Sequence, residues 1–486
     1  MVPPPALPHP GSRSCSRPST IAKFNRAQTS TMTITGQSGK QENWKFRLAH
    51  GVEAAVLHPW FLPFCFIAFF GLRAALVAFV QVEPTSDFLW YHDRAVGIVE
   101  GNGYSEGGVP TAYWPVGWPA AAALLYKIFG ANTMVLSVAN LCFAAVTFFL
   151  VLALGRQMFG SEIAARIGVF LLAIYPNNIA YTALTATETF YTFLLLLGTW
   201  IFITKRTFFA AALCGLVFGY ATLTKPQTLL MPIILVGISF LFESGHRLKL
   251  RTLGHGAVLY VAMAIVIAPW IYRNYTVFGE PVFISTNGGW AMYVGNNPSV
   301  MKSRGFPTDD GPEVQALLKK TFTVANQVES SRQARAAALA WIRENPGTFL
   351  VLMPIKAYSL WSVDGEAEWS YQSGTPSYDR HTAIFRAVRI LNQGFYVLMF
   401  IGFVAGGIGL LRIYLNPGRR SEVPIWALAG YGYAAYTTLQ CMIMAGSYRY
   451  KFPLMPFVIL GCAWAVAAWL QLNQPGSASG NRVKTR

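Results

Sequence analysis

Long apolar stretches recur along this chain, at about 57–80, 132–155, 163–178, 188–204, 207–223, 228–242, 254–271, 388–411, 424–444 and 452–472. Each approaches the roughly 20 residues with which a helix crosses a hydrocarbon core about 30 Å thick. The pattern therefore predicts ten membrane-spanning helices. An eleventh apolar run, "NPGTFLVLMPIKAYSLWS" (345–362), carries Pro354 and Lys356 in its middle. Counting it as a span would break the parity of the loops, so it is expected to be an interfacial or re-entrant helix.

Basic residues orient the spans, because loops that stay in the cytoplasm are enriched in Lys and Arg. Lys205 with Arg206, the segment "HRLKLR" (246–251), Arg412, and Arg419 with Arg420 all follow apolar runs. Ten spans alternating from a cytoplasmic N-terminus put every one of these, and both tails, inside. Three segments of note then face outward: 81–131, 272–387 and the short "AGSYRYK" (445–451), with tight turns around 179–187 and 223–227 completing that face. The expected division is a disordered cytoplasmic tail (1–45), an N-terminal transmembrane module (46–271) that includes the loop 81–131, an outer interfacial segment (272–387), C-terminal transmembrane helices (388–472) and a second disordered tail (473–486).

Composition agrees with this reading. The 486 residues are 53% hydrophobic and 12% charged, with a mean hydropathy of +0.39, whereas soluble domains carry about 25% charged residues. The net charge of +17 is scattered at the ends of apolar runs. That is how positive-inside loops look, and a nucleic-acid surface would be clustered. Five of the six cysteines lie inside apolar runs, with no CxxC and no Cys/His spacing that would hold zinc. Residues 1–31 show neither periodicity nor motif, which makes Met32 the expected start. Short loops and basic tails suit a bacterial inner membrane.

Nearly all the unusual polar chemistry falls on the outer side. "EPTSDFLWYHDR" (83–94) follows the first apolar run and crowds three acids, His92 and Arg94 among aromatic residues. As an interfacial helix over 86–99 capped by Ser86, it would turn Phe88, Trp90, Val96, Ile98 and Val99 toward lipid. Asp87 and Tyr91 would share one face, with Asp93 elsewhere. A carboxylate at the outlet of a span must be solvated or paired; solvated loop charge, or membership of Asp93 and Arg94 in surface ion pairs, is the plain alternative. Next, "TAYWPVGWP" (111–119) places Tyr113, Trp114 and Trp118 where aromatic residues form an interfacial belt or stack on a sugar. Asn287, Asn296 and Asn297 sit among glycines, as turn residues do.

These motifs, in order, resemble the bacterial GT-C glycosyltransferases, and most closely the polytopic group related to protein O-mannosyltransferases and aminoarabinose transferases. The resemblance rests on "PTAYWPVGWP" (110–119), "TALTATETFYTFLLLLG" (182–198), "GYATLTKPQTLLMPI" (219–233), "APWIYRNYTVFGEPVFISTNGGWAMYVGNNP" (268–298) and "SYRYKFPLMPF" (447–457). It implies an all-α GT-C type bundle of about 10–11 spans. Such an enzyme moves a sugar from a polyprenyl-phosphate carrier to an acceptor hydroxyl at the outer face, inverting the anomeric centre. Asp87 matches the family's acid after the first span and is the implied general base, with Asp93 in reserve. Lys225, Arg273, Arg449 and Lys451 qualify by position to hold the departing phosphate. For the two arginines snorkelling to the interface is the alternative. Tyr91, His92, Tyr113, Trp114 and Glu188 are candidates for sugar or acceptor contact, and Glu188 equally for a helix N-terminal charge.

Departures from the family narrow the claim. Asp87 is followed by Phe88 where protein O-mannosyltransferases carry an Asp-Glu pair. The segment 299–387 lacks a repeated β pattern, which favours a lipid or glycolipid acceptor. Its stretch 326–345 is amphipathic, as if packed on the membrane domain. No DxD triplet is present, so no cofactor is required and a divalent metal is not indicated. The rival function is a transporter or flippase of a lipid-linked sugar, which would bury its ionisable groups near mid-membrane. A non-catalytic envelope scaffold is a third reading.

Overall fold

The computed structural model describes residues 38–303, 305–307 and 311–472, with side chains described from residue 46 onward. Most of both predicted tails lies outside these residues. From the N-terminus the helices are α1 (Ser38–Leu57), α2 (Phe61–Phe79), α3 (Ser86–Val99), α4 (Gly117–Phe129), α5 (Thr133–Phe159), α6 (Glu162–Ile174), α7 (Pro176–Ala180), α8 (Thr187–Thr204), α9 (Phe208–Thr224) and α10 (Met231–Phe242). They continue with α11 (His246–Phe278), α12 (Gly288–Val294), α13 (Pro312–Thr321), α14 (Gln327–Glu344), α15 (Pro346–Ser362), α16 (Ala367–Gly374), α17 (Thr382–Leu415), α18 (Ala427–Ile443) and α19 (Met455–Leu472). Helix α1 begins inside the segment expected to be tail. Among the described residues the only sheet is the hairpin β1 (Ser105–Glu106) and β2 (Val109–Pro110), paired antiparallel.

The chain is thus an all-α polytopic protein. Every apolar run contains a helix, and among the described residues six helices are long and apolar enough to cross a membrane. These are Phe61–Phe79, Thr133–Phe159, Thr187–Thr204, His246–Phe278, Asp379–Leu415 and Tyr448–Gln471. The pair Glu162–Ile174 and Pro176–Ala183, bent by 61°, makes up to seven if it counts as one span, against the ten expected; Phe208–Thr224 and Pro226–Phe242 are apolar helices too short for this length criterion. Helix α15 is not among the candidate spans.

Two spans form the centre. Of their most apolar windows, 78% is buried in α8 and 72% in the span that contains α19, against 22% in α2 and 28% in α17. Helix α8 packs on α5 and α9, α19 on α6 and α17, and α9 on α11. The outer helices turn large apolar residues outward, such as Phe64 and Ile67 on α2, Val261 and Ile265 on α11, and Leu391 and Leu398 on α17. That is the surface a lipid tail accepts without cost. These are the most enclosed helices, and both open at the same end of the bundle.

The bend at Tyr175 has a local cause. Pro176 has no N–H to give to Leu172, and an unmet carbonyl inside a membrane protein costs several kcal/mol. Arg73 of α2, fully buried, donates to the Leu172 and Ala173 carbonyls at 3.1 and 3.4 Å and to Asn178 Oδ1 at 2.7 Å. A lone arginine within an apolar run thus secures a broken helix.

Two expectations of α3 are corrected here. Ser86 does not cap α3: it is the first helical residue, at φ +50, and Thr85 at the cap position makes no side-chain cap bond. The apolar face of α3 turns inward, because α4 packs against it and buries Phe88 and Tyr91. Arg94 does belong to an ion pair, with Glu106 at 3.6 Å. Helix α14 packs chiefly on α12, its Gln327 accepting from Ala112 N at 2.8 Å and Thr286 Oγ1 at 3.0 Å.

Gly117 sets the distance between the outer loop and the bundle. A Cβ there would lie 2.6 Å from Thr224 N and 2.7 Å from the Leu223 carbonyl carbon, closer than backbone atoms yield. Gly117→Ala is expected to destabilise the protein by about 1–3 kcal/mol, read as a lower midpoint of thermal unfolding in detergent than Gly71→Ala, whose Cβ meets nothing within 4 Å.

Candidate active site

Four charged side chains, far apart in sequence, meet where α8 and α19 open. Arg449 lies in the 3-10 helix Tyr448–Leu454 that leads into α19. Its Nε donates to Glu188 Oε1 at 2.7 Å, its Nη2 to Glu188 Oε2 at 3.4 Å, and its Nη1 to Asp87 Oδ2 at 3.2 Å. Lys225 Nζ donates to Glu188 Oε1 at 3.0 Å. Asp87, Arg449, Glu188 and Lys225 thus form one chain of alternating charge.

Local structure explains each position. Lys225 precedes Pro226, and the residue before a proline is driven out of the helical region; at φ −140, ψ 110 it ends α9 in extended form. Glu188 stands in the first turn of α8, where the dipole favours an acid. No side chain caps that turn, and the carboxylate points sideways to its cations. Asp87 follows Ser86, whose left-handed backbone costs a non-glycine residue about 1–2 kcal/mol. Just upstream, Glu83 N donates to Gly374 O at 2.8 Å, and Thr85 Oγ1 meets Ser373 Oγ at 3.2 Å. Asp87 is therefore presented by a strained turn tied to the end of α16.

Exposure grades the four groups. Glu188 is fully buried, Lys225 and Arg449 show 14% and 18% of their side chains, and Asp87 shows 32%. Two acids balance two cations, which burial of this kind requires. Arg449 uses three of its five N–H bonds in these contacts, and Lys225 one of three. Both retain donors for an incoming anion. Asp87 is the acid most open to a hydroxyl.

A cavity of about 390 Å³ adjoins the cluster, and Lys225, Tyr91, Trp114, Thr187, Asn287 and Gln440 are among its lining. Tyr91 and Trp114 meet edge to face, with ring centroids 6.5 Å apart. Trp118 belongs to the core instead: it is fully buried, its Nε1 donating to Thr185 O at 3.2 Å. Tyr113 packs edge to face against Phe322.

The other expected site residues lie elsewhere. Asp93 and His92 face a separate shallow cleft on the far side of α3; His92 Nδ1 bonds Tyr126 OH at 2.8 Å, and burial lowers its pKa. Arg273 holds the loop after α3, donating to Thr111 O and Tyr104 O at 2.8 Å each. Lys451 is fully buried, 3.6 Å from Asp364 Oδ1 and bonded to the Val363 and Tyr448 carbonyls. Asn296 and Asn297 are buried, Asn296 accepting from Lys356 Nζ at 2.8 Å and donating to the Ile443 and Met444 carbonyls that end α18.

Sequence reasoning passed over the loop Val363–Glu366. Asp364 accepts from Tyr175 OH at 2.7 Å, Asn392 Nδ2 at 3.0 Å and Asn177 Nδ2 at 3.3 Å. Its neighbour Glu366 lies within electrostatic reach of Arg449, Glu188, Lys225 and Lys451. The available signal was position: "VDGE" follows an apolar run, as Asp87 does. Among the described residues no three His, Cys, Asp or Glu side chains gather as a metal site would require.

Residues 114–272 match the model of the dolichyl-phosphate-mannose-protein mannosyltransferase family. It is among the families the loop motifs resemble. The match contains Glu188 and Lys225; Asp87 precedes it and Arg449 follows it. Among curated proteins none matches the chain. Of solved structures, the Archaeoglobus fulgidus oligosaccharyltransferase is similar at 15% identity and a TM-score of 0.47, over 87% of this chain and 49% of that one. ArnT from Cupriavidus metallidurans, solved with undecaprenyl phosphate, is similar at 15% identity and a TM-score of 0.41, over 79% and 76%. The chain spans about half the length of the oligosaccharyltransferase.

Removing the acid that joins the two cations is expected to matter most for stability. Glu188→Gln leaves both charges less compensated and should cost about 3–5 kcal/mol, measured by denaturant unfolding in detergent. A variant as stable as wild type would show that Glu188 does not hold the cluster.

Proposed function

We propose that this protein is a membrane glycosyltransferase that takes a sugar from a polyprenyl-phosphate carrier and passes it to an acceptor hydroxyl, on a lipid or glycolipid, at the outer face of a bacterial inner membrane. The observation that carries this reading is Arg449, which bridges the most exposed acid, Asp87, to the buried Glu188 that also holds Lys225. The match over residues 114–272 supports the same chemistry.

In this mechanism the acceptor oxygen attacks the anomeric carbon while Asp87 takes its proton. The bond from that carbon to the phosphate oxygen breaks, and the electron pair leaves with the phosphate. Arg449 and Lys225, with N–H donors to spare, hold the growing charge on the phosphate. One displacement of this kind inverts the anomeric centre. Tyr91 and Trp114 offer ring faces to the sugar along the cavity wall. Basic loops at the opposite ends of the same helices support an outer position for the site and cytoplasmic termini. The large apolar residues that the outer helices turn outward support a bilayer partner.

A transporter would carry its ionisable groups midway along broken helices, whereas all four members of the cluster stand at helix ends. The test is sugar transfer by purified protein in lipid, across a panel of polyprenyl-phosphate sugars. Asp87→Asn is expected to slow single-turnover transfer about a hundredfold or more while donor binding persists. Asp93→Asn should transfer at close to the wild-type rate. Unchanged transfer by Asp87→Asn would remove it as the base.

A further inference from the structure

Glu366 is a buried acid near the cluster that takes part in no ion pair among the described residues. Its Oε2 is shut away from solvent and accepts no hydrogen bond among the described residues. The loop that carries it cannot swing aside easily. Lys451 donates to the Val363 carbonyl, three side chains hold Asp364, and Gly365 at φ +113 stands where its Cβ would touch Asn392. Glu366 stands at the cap position of α16 without a side-chain cap bond, and the far end of α16 is bonded to the segment that presents Asp87.

Charge counting isolates the group further. Arg449, Lys225 and Lys451 are matched by Asp87, Glu188 and Asp364. The neighbours that bear on Glu366 are Arg449 and Lys451 from the 3-10 helix, Glu188 from α8 and Lys225 from the end of α9. Tyr181 and Tyr448 lie within its field. With the six paired charges cancelling, an ionised Glu366 would leave the site one negative charge in excess. A second negative charge, from a bound phosphate, would then meet it at the same cations.

We propose that Glu366 is the proton-holding group of this site, so that binding of a phosphodiester anion at Arg449 and Lys225 is linked to uptake of one proton by the Glu366 carboxyl. The proton comes from solvent and returns to it when the anion leaves. This rests on the reading of the cluster as a phosphate site and adds a regulation to it. Burial, opposed by Arg449 and reinforced by Glu188, pushes the Glu366 carboxyl up to about 7. The sign follows. Below that pH the acid already carries its proton and affinity is flat. Above it, each bound anion must recruit a proton, and affinity falls by up to about tenfold per pH unit.

The probe is a short isoprenyl methyl phosphodiester, whose single charge is constant between pH 6 and 8.5. Its binding to the full-length protein in detergent is measured over that range. Wild type is expected to lose about tenfold in affinity between pH 7.5 and 8.5. Glu366→Gln, a neutral analogue of the protonated acid, should bind with little pH dependence and more tightly than wild type at pH 8.5. Its unfolding midpoint at pH 6, where the wild-type acid is protonated, should match wild type. A merely structural role for Glu366 would move that midpoint and leave the pH slope intact. The same slope in both proteins, or flat saturable binding in wild type, overturns the proposal alone. Absence of saturable binding at every pH, or binding that Arg449→Gln leaves unchanged, overturns the phosphate reading and the proposal with it.

Discussion

A carboxylate taken out of water inside a helix bundle is tolerable only with cations drawn against it, and the full burial of Glu188 organises the site in that way. It draws Lys225 from the end of α9 and Arg449 from the approach to α19, and Arg449 in turn reaches Asp87 after α2. Four chain segments that share no local contact in sequence are thereby fixed to one another. The helices that carry Glu188 and Arg449 are also the two most enclosed spans. Electrostatics and packing therefore select the same place: the charges are held by the most enclosed part of the bundle.

The two cations are held without being exhausted. A cation paired one-to-one with a buried acid would have little left for a ligand, but guanidinium and ammonium groups carry more N–H bonds than Glu188 and Asp87 occupy. Arg273 and Lys451, which looked equivalent by position, are consumed by carbonyls and by Asp364. Their charge goes into loop geometry: Arg273 shapes the loop after α3, and Lys451 steadies the loop that carries Glu366. The interfacial arginines thus divide by what they touch, which depth in the membrane alone does not separate.

Much of the fold is legible because apolar runs and helices are nearly the same thing in a membrane chain: each run must satisfy its own backbone. Asp87 was legible for a related reason, since an acid at the outlet of a span stands out against what surrounds it. Asp364 and Glu366 were not. In "SVDGEAEW" they read as ordinary loop acids, and only the docking of that loop over Tyr175, Asn392 and the cluster buries them. The inward face of α3 was misread because a single helix cannot say whether lipid or α4 will cover it. Arg73 was visible as a lone charge within an apolar run, and the cost of that placement was reason enough to expect the buried anchor it proves to be.

That anchor reaches the site through backbone geometry. Arg73 secures the carbonyls on the near side of the bend at Pro176; Asn177 N on its far side donates to Asn392 Oδ1 at 3.0 Å, and Tyr175 donates to Asp364. The broken helix is consequently gripped from α2, α17 and the loop before α16 at once. From the bend the chain runs through the turn 181–186 directly into Glu188. A rotation at the bend would carry the buried Glu188 away from the two cations that compensate it. The break in the span therefore serves to aim a carboxylate, and the rigidity of the charge cluster follows from hydrogen bonds made about a dozen residues upstream.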